Sequence, residues 1–199
     1  MGKHKILFAS SLKPAFDIRT EKLYQSFTNN TKYDTHFCGV GVPCQNEEPN
    51  TYTWKYGRGI GFRLRININF LLLLLKIRPT IIILNNNDLL YLSIFLKLFF
   101  KCKIIYDIQE NISNNITYQN VYSGLRKRLY LLLTHLSYKH LSRSCDGFIL
   151  AEKSYEEELL FIRNKPYIIL ENKFLPPTVQ RTKIPKHKKV QILFSGTIT

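Results

Sequence analysis

Two carboxylates and two amides follow one apolar segment of the chain, in the run Asp107-Ile108-Gln109-Glu110-Asn111. Carboxylates accept protons and bind hydroxyl groups, whereas the amides of Gln and Asn only hydrogen-bond near neutral pH. A loop of this composition at the end of a strand is a candidate site, with Asp107 and Glu110 as its catalytic candidates. Gln109 and Asn111 would then bind substrate hydroxyls. A purely structural loop explains the same residues equally well.

A second candidate follows the first apolar segment, where Asp17 and Arg19 stand at the start of a predicted helix. Asp17 is a good N-cap, which is its simplest role. Arg19 lies in the first helical turn, where a cation opposes the helix dipole. We therefore expect an anion, either a ligand or Asp17, beside Arg19. A third polar run, Asn85-Asn86-Asn87-Asp88, is most simply a helix cap.

The loop of residues 10–19 lacks two familiar phosphate-binding motifs. It contains neither G-x-G-x-x-G nor G-K followed by Ser or Thr. The glycines of those motifs let the backbone approach a phosphate closely, and their absence weighs against a dehydrogenase or an NTPase.

The elements that must position these residues alternate between short apolar runs and helix-length segments. Strands are predicted at residues 5–9, 35–40, 80–84, 103–106, 147–150 and 167–170. Helices are predicted at residues 17–27, 63–76 (a buried helix), 87–100, 125–143 and 154–162, with a loop at 45–61 and a loop that contains some irregular helix at 107–122. This alternation predicts an α/β fold, a Rossmann-like, doubly wound parallel sheet with helices on both faces. Ligands bind beyond the carboxyl ends of such strands, where the polar runs stand.

Size and cysteine content limit the class of protein. A chain of 199 residues can bury one good core but is too short for two full domains. Its four cysteines, Cys38, Cys44, Cys102 and Cys145, lack C-x-x-C spacing, so we predict reduced core thiols and no metal site. No apolar run is long enough for a secretory signal or a membrane span. These features favour a cytoplasmic protein.

The net charge of +15 has two interpretations. A strongly basic protein attracts anionic lipid, nucleic acid or phosphorylated substrates. However, the basic residues are scattered, and heavy use of Lys, Asn, Ile, Tyr and Phe is also what an AT-rich genome produces. If the charge is functional, we expect peripheral binding to anionic bilayers, at the inner face of the membrane, through the basic faces of residues 63–76 and 125–143. Solvated helix faces are the alternative.

Five short motifs are spread along the chain in an informative order. They are Lys5-Ile6-Leu7-Phe8-Ala9 with Leu12-Lys13-Pro14, Asp17 and Arg19; Tyr106-Asp107-Ile108-Gln109-Glu110-Asn111; Ile149-Leu150-Ala151-Glu152-Lys153-Ser154-Tyr155; Leu170-Glu171-Asn172-Lys173-Phe174; and Leu193-Phe194-Ser195-Gly196-Thr197. Together they resemble bacterial glycosyltransferases of the GT-B fold, in the broad group 1 (family 4-like) class.

The resemblance implies two Rossmann-like domains that face a cleft. The N-terminal domain holds the acceptor, and the C-terminal domain holds the nucleotide-sugar donor and carries a pair of glutamates. On this basis residues 1–174 form the acceptor-side domain and residues 175–189 an interdomain linker. Residues 190–199 would be the first strand of a truncated donor-binding domain, which should make few contacts with the main core.

Site residues follow from the same resemblance. Asp17 and Arg19 would shape the cleft, Asp107 and Glu110 would be catalytic, and Gln109 and Asn111 would contact the acceptor or the transferred sugar. Gly196 and Thr197 would begin the donor phosphate site. Many relatives have His at the place of Gln109, and since an amide is no base near neutral pH, a catalytic His role is not carried over. No metal and no cofactor is implied.

The resulting expectation is a glycosyltransferase fragment that moves a sugar from a nucleotide-sugar donor to a hydroxyl acceptor in polysaccharide or glycolipid synthesis. Alone, without the donor domain, it should be inactive. Under this interpretation no nucleic acid partner is expected. The alternative is a non-catalytic basic module that binds an anionic membrane surface or nucleic acid, which the run Tyr52-Thr53-Trp54-Lys55-Tyr56 and Arg58 would suit.

Overall fold

A computed structural model describes residues 3–14, 18–41, 50–55, 57, 59–85, 89, 92–118 and 122–171. Within these residues seven strands form one sheet: β1 His4–Pro14, β2 Tyr33–Val40, β3 Thr51–Trp54, β4 Ile81–Leu84, β5 Lys103–Ile108, β6 Gly147–Leu150 and β7 Tyr167–Ile169. Their order is β3-β2-β1-β4-β5-β6-β7, and all neighbouring pairs are parallel. The predicted α/β class with a parallel sheet is confirmed.

Six helices and one short 3₁₀ turn connect the strands in the part of the chain that the structure describes. They are α1 Ile18–Thr28, α2 Gly59–Ile77, α3 Ser93–Phe100, α4 Ile112–Tyr118, α5 Gly124–Ser144, α6 Tyr155–Glu158 and the 3₁₀ turn Leu160–Ile162. The helix predicted at 154–162 is divided into two pieces. Leu159 adopts φ −105° and ψ 78° and places its side chain in the core, so the α-helix ends before it.

Helices cover both faces of the sheet, as predicted. Phe8 of β1 packs with Tyr24 of α1, whereas its neighbour Leu7 belongs to the core cluster that contains Phe70 of α2. Successive side chains of a strand point to opposite faces, so α1 and α2 lie on opposite sides. Helices α3 and α6 contribute Leu96 and Tyr155 to the cluster on the α2 side.

The predicted loop at residues 45–61 is wrong in part. Residues 51–54 form β3, whose partner among the described strands is β2 at the edge of the sheet, and α2 begins at Gly59. All four residues of β3 are half-buried. A four-residue edge strand gives little periodic signal, and its pairing with β2 decides its conformation. In the segment 107–122, predicted as a loop with some irregular helix, residues Ile112–Tyr118 form α4.

The prediction that residues 63–76 form a buried helix also needs correction. Only one face of α2 is buried, with Ile66, Phe70, Leu74 and Ile77 among its core residues. Its opposite face exposes Leu64, Ile68, Leu72 and Leu75, each between 57 and 60% exposed. Because apolar residues lie on every side of α2, its sequence alone could not show whether the helix is buried on all sides or on one.

Three of the cysteines, Cys38, Cys102 and Cys145, are buried free thiols, which agrees with the prediction of core thiols. Burial raises the pKa of each. Several predicted features lie outside the described residues: Cys44, Asp17, the cap at Asn87 or Asp88, the linker and the terminal strand 190–199. The proposed domain limits therefore stay predictions.

Candidate functional site

The first turn of α1 is tied to the carboxyl end of β5 by a buried ion pair. Arg19 donates from Nη2 to Oδ1 of Asp107 at 2.8 Å, and from Nε to Oδ1 and Oδ2 at 3.2 and 3.1 Å. Arg19 is 8% exposed and Asp107 is 1% exposed. An anion does lie beside Arg19, but it is Asp107, 88 residues away along the chain, whereas the sequence had suggested a ligand or Asp17.

The ion pair is the centre of a larger network. Gln109 donates from Nε2 to Oδ2 of Asp107 at 3.0 Å, and Arg19 donates from Nη1 to the carbonyl oxygen of Leu170, just after β7. The Tyr155 hydroxyl lies 3.4 Å from the Gln109 carbonyl oxygen. Both oxygens of Asp107 are engaged, so the ion pair links α1 to β5, while the bond from Arg19 to Leu170 links α1 to the end of β7. The network fixes Gln109 at the carboxyl edge of the sheet.

The crevice of the sheet lies between β1 and β4, where the strand order reverses direction. Asn85, directly after β4, donates from Nδ2 to Oγ1 of Thr20 in α1 at 3.2 Å. Its Oδ1 is buried and has no hydrogen-bond partner within the described residues, and the same is true of the Ser10 hydroxyl on β1. Ala9 pairs with Leu84, so Ser10 and Asn85 follow one register step later on adjacent strands. Two unsatisfied polar atoms thus lie at the switch point of the sheet.

Asn111 and Glu110 differ sharply in their surroundings. Asn111 is buried; its Oδ1 accepts from the backbone N–H of Asn114 at 3.2 Å, which makes it the N-cap of α4, and its Nδ2 donates to Glu158. Glu110 is exposed, and its Oε2 accepts from Nδ2 of Asn115 at 3.4 Å, a long contact. Of the two predicted catalytic carboxylates, Glu110 is therefore the one that a ligand can reach.

A second pocket lies where β3 ends and α2 begins. Its volume is about 620 Å³, and its lining includes Trp54, Lys55, Gly57, Arg65 and Asn69. An aromatic ring beside cationic and amide groups suits a sugar or a phosphate. The pocket escaped prediction because residues 45–61 were assigned to a loop. The aromatic and basic run at residues 52–56 was its signal in the sequence.

The structure thus brings four of the predicted site residues, Arg19, Asp107, Gln109 and Glu110, to the carboxyl edge of the sheet. It places Asn111 in a cap just beyond them. Asp17, Gly196 and Thr197 lie outside the described residues. Ser10 and Asn85 were not singled out as site residues, although both follow apolar strands at the edge where ligands bind. Among the described residues no three His, Cys, Asp or Glu side chains come together as a metal site.

No family model matches the sequence, and no curated protein matches it either. Two solved structures share the fold. Sucrose-phosphate synthase from Thermosynechococcus elongatus matches 85% of this chain and 48% of its own, with a TM-score of 0.57 and 9% identity. The Glycyrrhiza uralensis enzyme UGT73P12, complexed with glycyrrhetinic acid 3-O-monoglucuronide, matches 83% of this chain and 48% of its own, with a TM-score of 0.51 and 11% identity.

Both similar structures are GT-B glycosyltransferases, and this chain spans about half the length of each. At such low identity the similarity establishes the fold alone. The described part of the chain therefore has the Rossmann-like α/β fold that is found in GT-B glycosyltransferases.

Proposed function

We propose that this chain is the acceptor-side domain of a nucleotide-sugar-dependent glycosyltransferase, whose second domain supplies the donor site. The observation that carries the proposal is the polar cluster at the carboxyl edge of a sheet with the GT-B fold. Arg19, Asp107 and Gln109 are fixed there, and Glu110 is exposed beside them. A fixed, partly polar edge is where such sheets bind ligands.

The two carboxylates take different roles in this proposal. Asp107 is buried and saturated, so it positions Arg19 and Gln109. Glu110 contacts a hydroxyl of the acceptor or of the transferred sugar. In the overall transfer, the bond between the anomeric carbon and the donor phosphate oxygen breaks and the nucleoside diphosphate leaves with the electron pair. The acceptor oxygen bonds to the anomeric carbon, and its hydroxyl proton passes to the Glu110 carboxylate.

Acceptor hydroxyls have two sets of candidate partners. The Ser10 hydroxyl and Asn85 Oδ1, which have no hydrogen-bond partner in the described part of the chain, mark the crevice between β1 and β4. The pocket of Trp54, Lys55 and Arg65 lies at the same carboxyl edge, beyond β2. Because that pocket combines an aromatic face with two cations, we propose that it binds a sugar next to a phosphate on a polysaccharide or lipid-linked acceptor.

The decisive experiment measures nucleoside diphosphate release by the complete two-domain protein, with a panel of nucleotide sugars and hydroxyl acceptors. Replacing Glu110 with Gln should lower turnover by roughly 100-fold, the scale for loss of a general acid–base group. A loss near tenfold would instead indicate one hydrogen bond worth about 1.4 kcal/mol in the transition state. Glu157→Gln, an exposed glutamate of α6, is the matched control. Unchanged turnover in Glu110→Gln, with an unchanged melting temperature, would remove this loop from the site.

The chain itself offers a direct binding assay, because Trp54 is its single tryptophan. Fluorescence excited selectively at tryptophan should change when an oligosaccharide phosphate is titrated into the chain. Arg65→Gln should weaken that titration about tenfold, since a charge-assisted hydrogen bond contributes roughly 1.5 kcal/mol or more. Arg163→Gln, far along the sequence and exposed, should leave it unchanged. A titration that Arg65→Gln does not weaken would count against this pocket.

A further inference from the structure

Three helices on one side of the sheet, α2, α3 and α5, share an unusual surface. All three contribute to the core on the α2 side or pack against it, through residues such as Phe70, Leu96 and Tyr138. Within their limits they contain no Asp or Glu. Their basic residues are Arg63, Arg65, Lys76, Lys97, Arg126, Lys127, Arg128, Lys139 and Arg143. These three helices therefore differ from α6, which lies on the same side of the sheet, and from α1 on the opposite side, because both of those helices carry glutamates.

The same helices expose large apolar side chains in rows. On α2 they are Leu64, Ile68, Leu72 and Leu75; on α3, Phe95 and Phe99; on α5, Leu125, Leu129, Leu132, Leu133 and Leu136. Apart from the adjacent residues Leu132 and Leu133, spacings of three and four residues put each row on one face of its helix. On α2 this row lies opposite the buried face of Phe70 and Leu74, so it points away from the sheet. Scattered apolar residues are normal on a surface, but contiguous rows mark an interaction surface.

We propose that this surface, formed by the exposed rows of α2, α3 and α5, docks on an anionic lipid bilayer. A bilayer is the partner that matches both the apolar rows and the basic residues of this surface. Leucine rows insert into the boundary between headgroups and acyl chains, while flanking Arg and Lys attract anionic headgroups, and an acidic residue would be repelled. Nucleic acid would match the charge but leave the leucines in water. No helix of the described chain is long and apolar enough to cross a bilayer, so the contact is interfacial.

Some of the basic residues are already engaged within the protein. Lys97 lies 2.8 Å from Asp146, and Lys127 donates to the Thr117 carbonyl oxygen at 2.6 Å. Arg126 and Arg128 are exposed in the first turns of α5, on either side of Leu129. They are the cations best placed to reach lipid headgroups, since long side chains extend to the charged layer while the leucines insert.

The test is co-sedimentation of the intact chain with vesicles, either of pure phosphatidylcholine or with about one third phosphatidylglycerol. We expect binding to the anionic vesicles that weakens at high salt, because screening removes attraction beyond a Debye length. Arg126→Gln with Arg128→Gln should lower the partition coefficient about 25-fold at low salt, near fivefold for each charge. Lys32→Gln with Arg163→Gln removes two exposed charges elsewhere and should change it far less.

The apolar rows are tested separately. Leu132→Gln with Leu136→Gln should lower partitioning about tenfold or more at any salt concentration, because the loss is of buried apolar area. Ile168→Gln is the matched control, since Ile168 is 53% exposed on β7 and pairs in register with Ile149 of the opposite, α1-side cluster. These positions are exposed, so the variants should keep the circular dichroism spectrum and melting temperature of the parent.

Equal binding of the parent chain to neutral and anionic vesicles would overturn the proposal. So would unchanged vesicle binding in the arginine and leucine double variants of α5, relative to their control variants. A second copy of this chain is the competing occupant. A dimer that Leu132→Gln with Leu136→Gln dissociates, without any effect of vesicles, would assign the rows to self-association and overturn the bilayer. The inference does not rest on the proposed transferase activity, so either can fail alone.

Discussion

Loss of Arg19 should destabilise the protein strongly, because it would leave the buried Asp107 carboxylate without its cation. Asp107 is 1% exposed and accepts three hydrogen-bond contacts from Arg19 within 3.2 Å. In Arg19→Met only the Gln109 amide remains among these donors. Breaking a buried pair by removing one partner costs about 3–5 kcal/mol. For a chain of this size we expect the melting temperature to fall by about 10 °C.

The double variant separates an uncompensated charge from lost packing. Arg19→Met with Asp107→Leu removes both charges, and replacing a whole buried ion pair with apolar groups is often nearly neutral. Most of the lost stability should therefore return, although the Leu170 carbonyl and the Gln109 amide lose a partner. Urea denaturation followed by circular dichroism measures the free energy of unfolding of all variants.

Lys97→Met is the matched control for a less buried ion pair. Lys97 and Asp146 form a contact of 2.8 Å, with side chains 31 and 37% exposed. Partly exposed pairs contribute about 1 kcal/mol or less. If Arg19→Met destabilises no more than Lys97→Met, or if the double variant recovers nothing, the Arg19–Asp107 pair does not hold α1 to the sheet.

Three further predictions concern single positions. Asn111→Ala should destabilise the fold by about 1 kcal/mol because α4 loses its N-cap, and urea denaturation should show no loss if Asn111 is not the cap. In Gly57→Ala the new Cβ would lie 2.6 Å from Cδ2 of Phe62, so the Phe62 ring should be displaced. Because Phe62 and Trp54 line the same pocket, the fluorescence emission of Trp54 should change, and an unchanged emission spectrum would contradict the prediction. Burial raises the pKa of the Cys145 thiol from 9.0 to about 12. Between pH 9 and pH 12 the thiol therefore ionises only in the unfolded chain, so the free energy of unfolding falls as the pH rises above 9. Between pH 8 and pH 10, Cys145→Ala should therefore lose about 1 kcal/mol less stability than the parent chain, and an equal loss in both would refute the shift.

The sequence by itself determined the class of fold, because the apolar runs are short and regularly interrupted. The runs at residues 81–84 and 147–150 form strands with largely buried side chains, within the segments 80–84 and 147–150 that the sequence predicts as strands. The long helix near residues 125–143 was also predicted, and the structure extends it by one residue at each end. Local periodicity sufficed for these elements because each is either strongly apolar or long.

Elements without a local signal were decided by the tertiary structure. Strand β3 is four residues long and forms because β2 offers a free edge. Leu159 interrupts a predicted helix because its side chain enters the core. Apolar content also misled: α2 was predicted to be buried, and only its packing on one face of the sheet shows that four of its large side chains are exposed.

For the candidate site, the sequence determined which residues carry chemistry but not which of them meet. It indicated an anion beside Arg19, since a cation in the first turn of a helix is otherwise unfavourable. Only the sheet order brings Asp107 to it, because β1 and β5 lie on either side of β4 and their carboxyl ends share one edge. The same long-range packing distinguishes the two carboxylates. Burial and an ion pair fix Asp107 inside the protein, while Glu110, three residues later, stays at the surface.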